Sequence, residues 1–514
     1  MSLQFITGGS GAGKSEYLSR LVCEESVRRP HDNFIVVVPE QYTMETQKKL
    51  VHMHSRKGIL NIDVVSFERL AYKVFEELGG GNRPVLDDTG KNLIVRRVLE
   101  KEKKKLDYFG SSIEKTGFVS ELKSVISELL QYGITPQQLG EIGENVKEKQ
   151  QLSAKLKDIR LVYKEFMAFL STNYITSEEI LDVLCGLVEK SKLIAGSEII
   201  FDGFTGFTPI QYKLMRLLLV YSKGIKISVT IDKKERPTGH EGWNNLFFMS
   251  KEMMNRLIAI CEEEGINVDD TVCVDRDINY RYEGAKDLAY LERNLFRYKG
   301  GVYTGTPENI RIYEGSNPKE ELQYIVSEIL QLTRKEGFRY RDIAVVTADL
   351  ETYGKVAANM MKQNDIPAFL DYKRSVAANP YVEMLCSALE IVEKGYPYDT
   401  MFRYLRTGLT GISRHDIDML ENYCLAVGIR GSRAWHEPWK KKMKRSTYQP
   451  ELETLNALRE QIMAPFLNLE AVLKDKEANV RAYVTAVYEF VTALHSAEQI
   501  KALSECEPAG NEYE

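Results

Sequence analysis

Cysteine is scarce and scattered in this sequence: seven residues (Cys23, Cys185, Cys261, Cys273, Cys386, Cys424 and Cys506) among 514, with no C-x-x-C pair. That spacing argues against a zinc ribbon or a disulfide framework and reads as free, mostly buried thiols. Long hydrophobic runs are missing as well. No apolar stretch approaches the roughly 20 residues of a membrane span, so no membrane is expected as a partner. The first apolar stretch, Leu3 to Thr7, runs straight into a glycine loop and is not a basic segment leading into an apolar one, which makes the cytoplasm the expected location. A surplus of positive charge is absent too: at a net charge of -5, any nucleic-acid surface must be a local groove rather than a property of the whole chain. Repeats and low-complexity tracts do not occur.

What is there is an ordinary globular composition, 43% hydrophobic and 28% charged, in a chain long enough for roughly three or four domains. The first 75 residues alternate short apolar strands with helical patterns: Leu3 to Thr7, Glu16 to Ser26, Phe34 to Val38, Met44 to His54 and Ile62 to Ser66. Such alternation predicts βαβ units and a parallel sheet. After the cluster Gly79-Gly80-Gly81 the period changes to that of helices. From about 85 to 194, Phe118, Leu122, Val125, Ile126, Leu129 and Leu130 share one face, and Ile159, Val162, Tyr163, Phe166, Phe169 and Leu170 share another. Thr176 and Glu179 have the spacing of a capping box. Strand signals return at Ile199 to Asp202 and Lys226 to Ile231, around a helix from Gln211 to Tyr221, so the helical block is expected to interrupt a single sheet domain. A second α/β segment is expected from about 308: strands at Ile310 to Tyr313 and Ile343 to Thr347, helices at Lys319 to Lys335 and Leu350 to Asn364. From about 375 onward the pattern is helical again. Two basic stretches, Lys91 to Lys105 and Trp439 to Arg445 with Arg430, Arg433 and Trp435 ahead of it, read as solvated helix faces.

The segment Gly8-Gly9-Ser10-Gly11-Ala12-Gly13-Lys14-Ser15 fits G-x-x-x-x-G-K-[ST] and lies between an apolar strand and an amphipathic helix, the context that makes this motif specific. Its glycines permit backbone conformations closed to other residues, so that successive N–H groups can converge on a polyphosphate at a helix N-terminus. Lys14 would neutralise the β and γ phosphates, and Ser15 would ligate Mg2+. ATP or GTP is therefore the expected ligand. A second acid for the metal is expected at Asp202, which ends the apolar run Ile199-Ile200-Phe201; capping a turn is its other reading. Gly203 stands where a water-polarising Glu would follow, so binding without efficient hydrolysis is expected.

With these residues in view, the chain resembles the B subunits of AddAB-type ATP-dependent helicase-nucleases. The resemblance rests on the glycine loop together with Pro39-Glu40-Gln41-Tyr42-Thr43, Ser66-Phe67-Glu68-Arg69-Leu70, the stretch from Phe201 through Phe204 and Phe207 to Gln211, and Ile366-Pro367-Ala368-Phe369-Leu370-Asp371. It implies an α/β, superfamily 1 helicase-like fold: RecA-like domain 1A at 1–84 and 195–305, a helical insertion 1B at 85–194, the start of domain 2A at 306–375, and a helical insertion 2B at 376–514. It also implies a heterodimer with a helicase-nuclease A subunit, acting on duplex DNA ends and on single-stranded DNA in recombinational repair. In that arrangement the A subunit translocates, and the B subunit scans the passing strand for a hotspot sequence called Chi.

Against an active helicase of that superfamily the chain looks degraded beyond its glycine loop. No upstream adenine-reading Gln motif precedes Gly8, Asp232-Lys233-Lys234 stands where Gly-Asp-x-x-Gln is usual, and Ala348 lies where an arginine finger is expected. Losing such groups commonly slows catalysis by orders of magnitude, so weak turnover is expected. The family also implies a C-terminal nuclease domain with a [4Fe-4S] cluster on four cysteines, a spacing this sequence lacks; a fragment or a truncated product is the expectation. The DNA-contacting residues implied are Gln41, Thr43, Phe67, Arg69, Phe204 and Phe207. Gln41 and Thr43 offer hydrogen bonds or cap a helix, the phenylalanines offer stacking faces or fill a core, and Arg69 reaches a phosphate or base edge or forms a surface ion pair. Two other classes stay open: a P-loop kinase or transferase of a small molecule, and an interaction scaffold stabilised by nucleotide.

Overall fold

The computed structural model describes residues 1–506 except 80–83, 116, 147–148, 177, 237–241, 298–299, 372–375 and 444–449, with backbone alone at 171–173 and 502–506. Gly80 and Gly81 of the glycine cluster, and Lys444 and Arg445 of the second basic stretch, lie outside the described residues. The chain divides into two compact units, Met1–Ile312 and Tyr313–Glu514.

In the first unit, β1 (Ser2–Gly8), α1 (Lys14–Arg28), β2 (Asn33–Val37), α2 (Thr43–Met53), β3 (Ile62–Val65) and α3 (Phe67–Leu78) follow one another as the alternating pattern predicts. The strand period of two puts Leu3, Phe5, Ile35 and Val37 into one apolar core and Ile6, Phe34 and Val36 into another, so the sheet is buried on both faces as a parallel sheet must be. Next comes β4 (Val85–Leu86), then the helices α4 (Asp88–Glu102), α5 (Phe118–Gln131), α6 (Pro136–Asn145) and α7 (Gln150–Asn173), then β5 (Ile175–Thr176), which pairs with β4. These helices close a core of their own around Val95, Leu99, Leu122, Ile126, Val162, Phe166 and Leu170. Thr176 and Glu179 form the expected reciprocal cap, Thr176 N donating to Glu179 Oε2 at 2.9 Å and Glu179 N to Thr176 Oγ1 at 3.3 Å, just ahead of α8 (Ile180–Cys185).

After α9 (Lys192–Ala195), β6 (Ser197–Phe201), α10 (Pro209–Tyr221), β7 (Gly224–Thr230), α11 (Phe248–Glu264), β8 (Asn267–Val268), β9 (Val272–Cys273) and α12 (Lys286–Asn294) complete the unit. The strand order is β3-β2-β6-β7-β1-β8, with β9 also on β1, and every pairing among the described residues is parallel. Strand β6 thus returns to pair with β2 across more than a hundred intervening residues, Phe34 facing Glu198 and Val37 facing Phe201.

The second unit corrects one expectation. Helices α13 (Pro318–Lys335) and α14 (Leu350–Gln363) form where predicted and pack through Leu322, Val326, Ile329, Met360 and Met361. The strands expected at Ile310 to Tyr313, at the end of the first unit and the start of the second, and at Ile343 to Thr347 do not form: neither segment has a ladder partner among the described residues. A strand is a pairing rather than a propensity, and no neighbour is supplied here. Val346 is accordingly 91% and Phe369 90% exposed, and a cavity of about 1170 Å³ lies between the two helices and residues 343–347 and 366–371. Helices from Pro380–Lys394 to Ser496–Cys506 build a separate core around Tyr396, Tyr404, Trp435 and Phe466. No helix among the described residues is long and apolar enough to cross a membrane.

Candidate functional site

Strand β1 ends at Gly8, and the loop that follows turns into α1 through two left-handed glycines, Gly11 at φ 71° and Gly13 at φ 95°, where a side chain would be strained. The Lys14 ammonium folds back over this loop and donates to the carbonyl oxygens of Gly8 and Gly9, each at 2.9 Å. Among the described residues the backbone N–H groups of Gly11, Gly13, Lys14 and Ser15 have no acceptor. A held lysine beside a fan of unpaired donors at a helix N-terminus is suited to a polyphosphate. Burial pushes the Lys14 pKa down, with the carboxylates of Asp202 and Asp275 working against that shift.

Asp202 follows β6, which β7 separates from β1. Its Oδ1 accepts from Ser228 Oγ at 2.5 Å, a partner on β7 that the sequence did not mark. Gly203 sits at φ 83°, a left-handed backbone in which a Glu would be strained. Ser15 is exposed and Asp202 half-buried, and Asp202 is close enough to act on Lys14. One hydroxyl and one carboxylate suit Mg2+, which keeps several waters and leans on phosphate oxygens. Among the described side chains no four cysteines come together to hold a cluster: Cys23 lies in one core, Cys185 and Cys261 in a second and Cys424 in a third, while Cys273 and Cys386 are exposed.

The remaining expected site residues gather at the C-terminal ends of β2, β3 and β6, the edge where a parallel sheet presents its loops. Gln41 is exposed in a single turn, Glu40–Tyr42. Thr43, expected to offer a hydrogen bond to DNA or to cap a helix, is buried, and its hydroxyl donates to Glu40 O at 3.0 Å, holding that turn. Arg69 pairs with Glu40 at 3.2 Å on the exposed surface, tying the α3 start to the same turn. Phe67 is not an open stacking face: it is 8% exposed, with ring centroids of Phe201, Phe204 and Phe207 at 5.7, 5.4 and 6.1 Å. Tilted and edge-to-face packing of this kind is that of an aromatic core. Phe204 and Phe207 form its half-buried outer layer. Sequence reasoning also missed Asp275, Asn279, Arg281 and Glu292, which lie against the glycine loop from some 270 residues away and carry no motif.

The first basic stretch is largely paired with carboxylates. Lys91 is buried with its ammonium on Glu178 at 2.9 Å, Lys101 pairs with Glu165, Lys103 with Glu114 and Lys105 with Glu102. In the second stretch Trp435 and Trp439 are core residues and Arg433 pairs with Glu437.

A family model described as "ADDB, N-terminal" matches residues 5–292. The B subunit of the ATP-dependent helicase/deoxyribonuclease of Lachnoclostridium phytofermentans is 41% identical over all of this chain and 45% of its own length. The proteins of the same name from Symbiobacterium thermophilum and Clostridium novyi are 35% and 33% identical, over 97% and 98% of this chain and 44% and 43% of their own. The chain therefore spans less than half the length of these relatives.

Proposed function

The chain belongs to the family of ATP-dependent helicase/deoxyribonuclease B subunits, and from that footing we propose that its first unit is a nucleotide-binding module that handles single-stranded DNA. The observation that carries the nucleotide half is the Lys14 ammonium held on Gly8 and Gly9 beside four unpaired backbone donors. In this reading the N–H groups of Gly11, Gly13, Lys14 and Ser15 bind the phosphates of ATP, and Lys14 neutralises them. Ser15 and Asp202 hold Mg2+, which supplies charge neutralisation along the phosphate chain. The geometry favours binding over turnover. No carboxylate follows Asp202, Gly203 has a backbone conformation hostile to one, and Asp202 is already engaged by Ser228.

The DNA half rests on the neighbouring loops. Gln41 and Arg69 are exposed on the loops after β2 and β3, Phe204 and Phe207 are half-buried on the loop after β6, and the buried Phe67 and Thr43 hold these loops in place. Exposed polar groups next to aromatic surface suit a strand whose bases stack and whose backbone is paired electrostatically. The chain would thus serve as the scanning, Chi-recognising subunit of a heterodimer whose A subunit drives translocation during double-strand break repair. The two segments divided by the helices α4 to α7 correspond in this reading to RecA-like domain 1A of a superfamily 1 fold, those helices to 1B, and 306–375 and 376–514 to parts of 2A and 2B. Nucleotide and DNA binding by the purified chain test the reading together: Lys14→Ala should abolish the first and Arg69→Ala weaken the second. Unchanged nucleotide binding by Lys14→Ala would refute the module.

A further inference from the structure

Strand β9 pairs with β1 through Val272 and Cys273, so the chain leaves the sheet beside the end of β1 and runs directly onto the glycine loop. It is fastened there at three points. Asp275 Oδ1 accepts from Gly9 N at 2.8 Å while its Oδ2 accepts from Lys233 N at 3.0 Å. Asn279 is buried, and its Nδ2 donates to Asp275 Oδ1 at 3.1 Å and to Ser10 O at 3.4 Å. The backbone N of Arg281 donates to Gly11 O at 3.4 Å. The fit is close: a Cβ on Gly11 would stand 2.6 Å from Arg281 Cβ, and one on Gly13 would stand 3.5 Å from the Tyr280 ring.

The charges on this segment are divided unevenly. Arg276 pairs with Glu283 and lies over the Tyr280 ring, and Arg297 pairs with Asp232. Arg281, in contrast, is exposed and has no ion-pair partner among the described residues. Its Cβ and Cδ lie against Gly11, on the same loop whose carbonyls hold the Lys14 ammonium. Facing the loop are Asp202, Asp275 and Glu292, which accept from Ser228 Oγ, Gly9 N and Ser10 N respectively. Two cations at one loop with unpaired N–H donors form a setting that an incoming anion would stabilise.

We propose that Arg281 is a second phosphate-binding cation of the nucleotide site, with Asp275 and Asn279 as positioning residues that hold its backbone against Gly11. This rests on the nucleotide reading above and deepens it: the site is closed in cis by a segment following β9, and its ligand class is a nucleoside polyphosphate rather than a nucleoside. A guanidinium gives two parallel donors to a phosphate, which an ammonium cannot reproduce.

The test is a titration of the full chain with a fluorescent ATP analogue and Mg2+ at several salt concentrations, run on the parent and on Lys14→Ala, Arg281→Ala, Arg281→Lys and Asn279→Ala. Arg281→Ala should bind about tenfold or more weakly with a shallower salt dependence, Arg281→Lys should fall between it and the parent, and Asn279→Ala should weaken binding less than Arg281→Ala. Circular dichroism should show Arg281→Ala folded, since the side chain is exposed. If Lys14→Ala loses the analogue while Arg281→Ala binds like the parent, the Arg281 assignment is overturned and the nucleotide site survives. If Lys14→Ala also binds like the parent, or the parent does not bind, both fall.

Discussion

The same kind of segment, four or five β-branched and apolar residues followed by an amphipathic helix, meets two different fates in this molecule. In the first unit Ile35 to Val37 lies between β3 and β6, hydrogen-bonded on both edges and packed on both faces. In the second, Ile343 to Val346 has no ladder partner among the described residues, and Val346 is left to solvent, while α13 and α14 on either side of it form. Helices close their hydrogen bonds within a few residues; strands borrow theirs from elsewhere in the chain. Apolar, β-branched composition therefore becomes a strand only where a neighbour pairs with it.

Deleting a ring from each region is the sharpest test of that contrast, and its first arm has the largest expected effect. Phe201→Ala, at a fully buried strand end, should lower the stability of the first unit by about 3–5 kcal/mol in urea unfolding. A loss below about 1 kcal/mol would mean that the sheet is less tightly packed than its burial implies. Next in size, saturating Mg-ATP should stabilise the first unit and not the second, by about 2.7 kcal/mol at a hundred times the dissociation constant, read as protection from hydrogen exchange confined to residues 1–312. Equal protection of both units would break the contrast. Gly203→Glu comes third. It should cost about 1–2 kcal/mol through the left-handed backbone without raising ATP turnover, so a gain in hydrolysis would contradict the account of the site.

Smaller still, Glu40→Ala should change stability by less than about 0.5 kcal/mol, because the pair with Arg69 is exposed on both sides, while strengthening single-stranded DNA binding by freeing the guanidinium. The second arm of the first comparison has the smallest effect: Phe369→Ala, removing a ring of the same size from solvent, should shift stability by less than about 0.5 kcal/mol. A loss near that of Phe201→Ala would show that the extended segments of the second unit are packed in solution after all.

The readable part of the sequence was its short-range part. The glycine loop was plain because all its chemistry sits within eight residues, and the Thr176–Glu179 cap and the helices at 318–335 and 350–363 follow from spacings of three and four. Phe67 shows where such reading stops. The aromatic residues of the three loops were visible as a set, but that Phe201, Phe204 and Phe207 would enclose Phe67 depended on β3 and β6 flanking β2. Lys91 is similar: it read as part of a solvated basic face, which its neighbours Arg96, Lys101, Lys103 and Lys105 keep, until Glu178, 87 residues on, folded against it.

By itself, then, the sequence determined the alternating first unit, the helical character of the block from 85 to 194, and the glycine-rich turn from strand to helix, because those depend on backbone geometry and on periods of two and 3.6. Only the tertiary structure decided which apolar segments became strands, which aromatic rings stayed open, and that Asp275, Asn279 and Arg281 would come to rest on Gly9, Ser10 and Gly11. Each of those outcomes turns on a partner a hundred or more residues away in sequence, and no local pattern records where a distant partner will arrive.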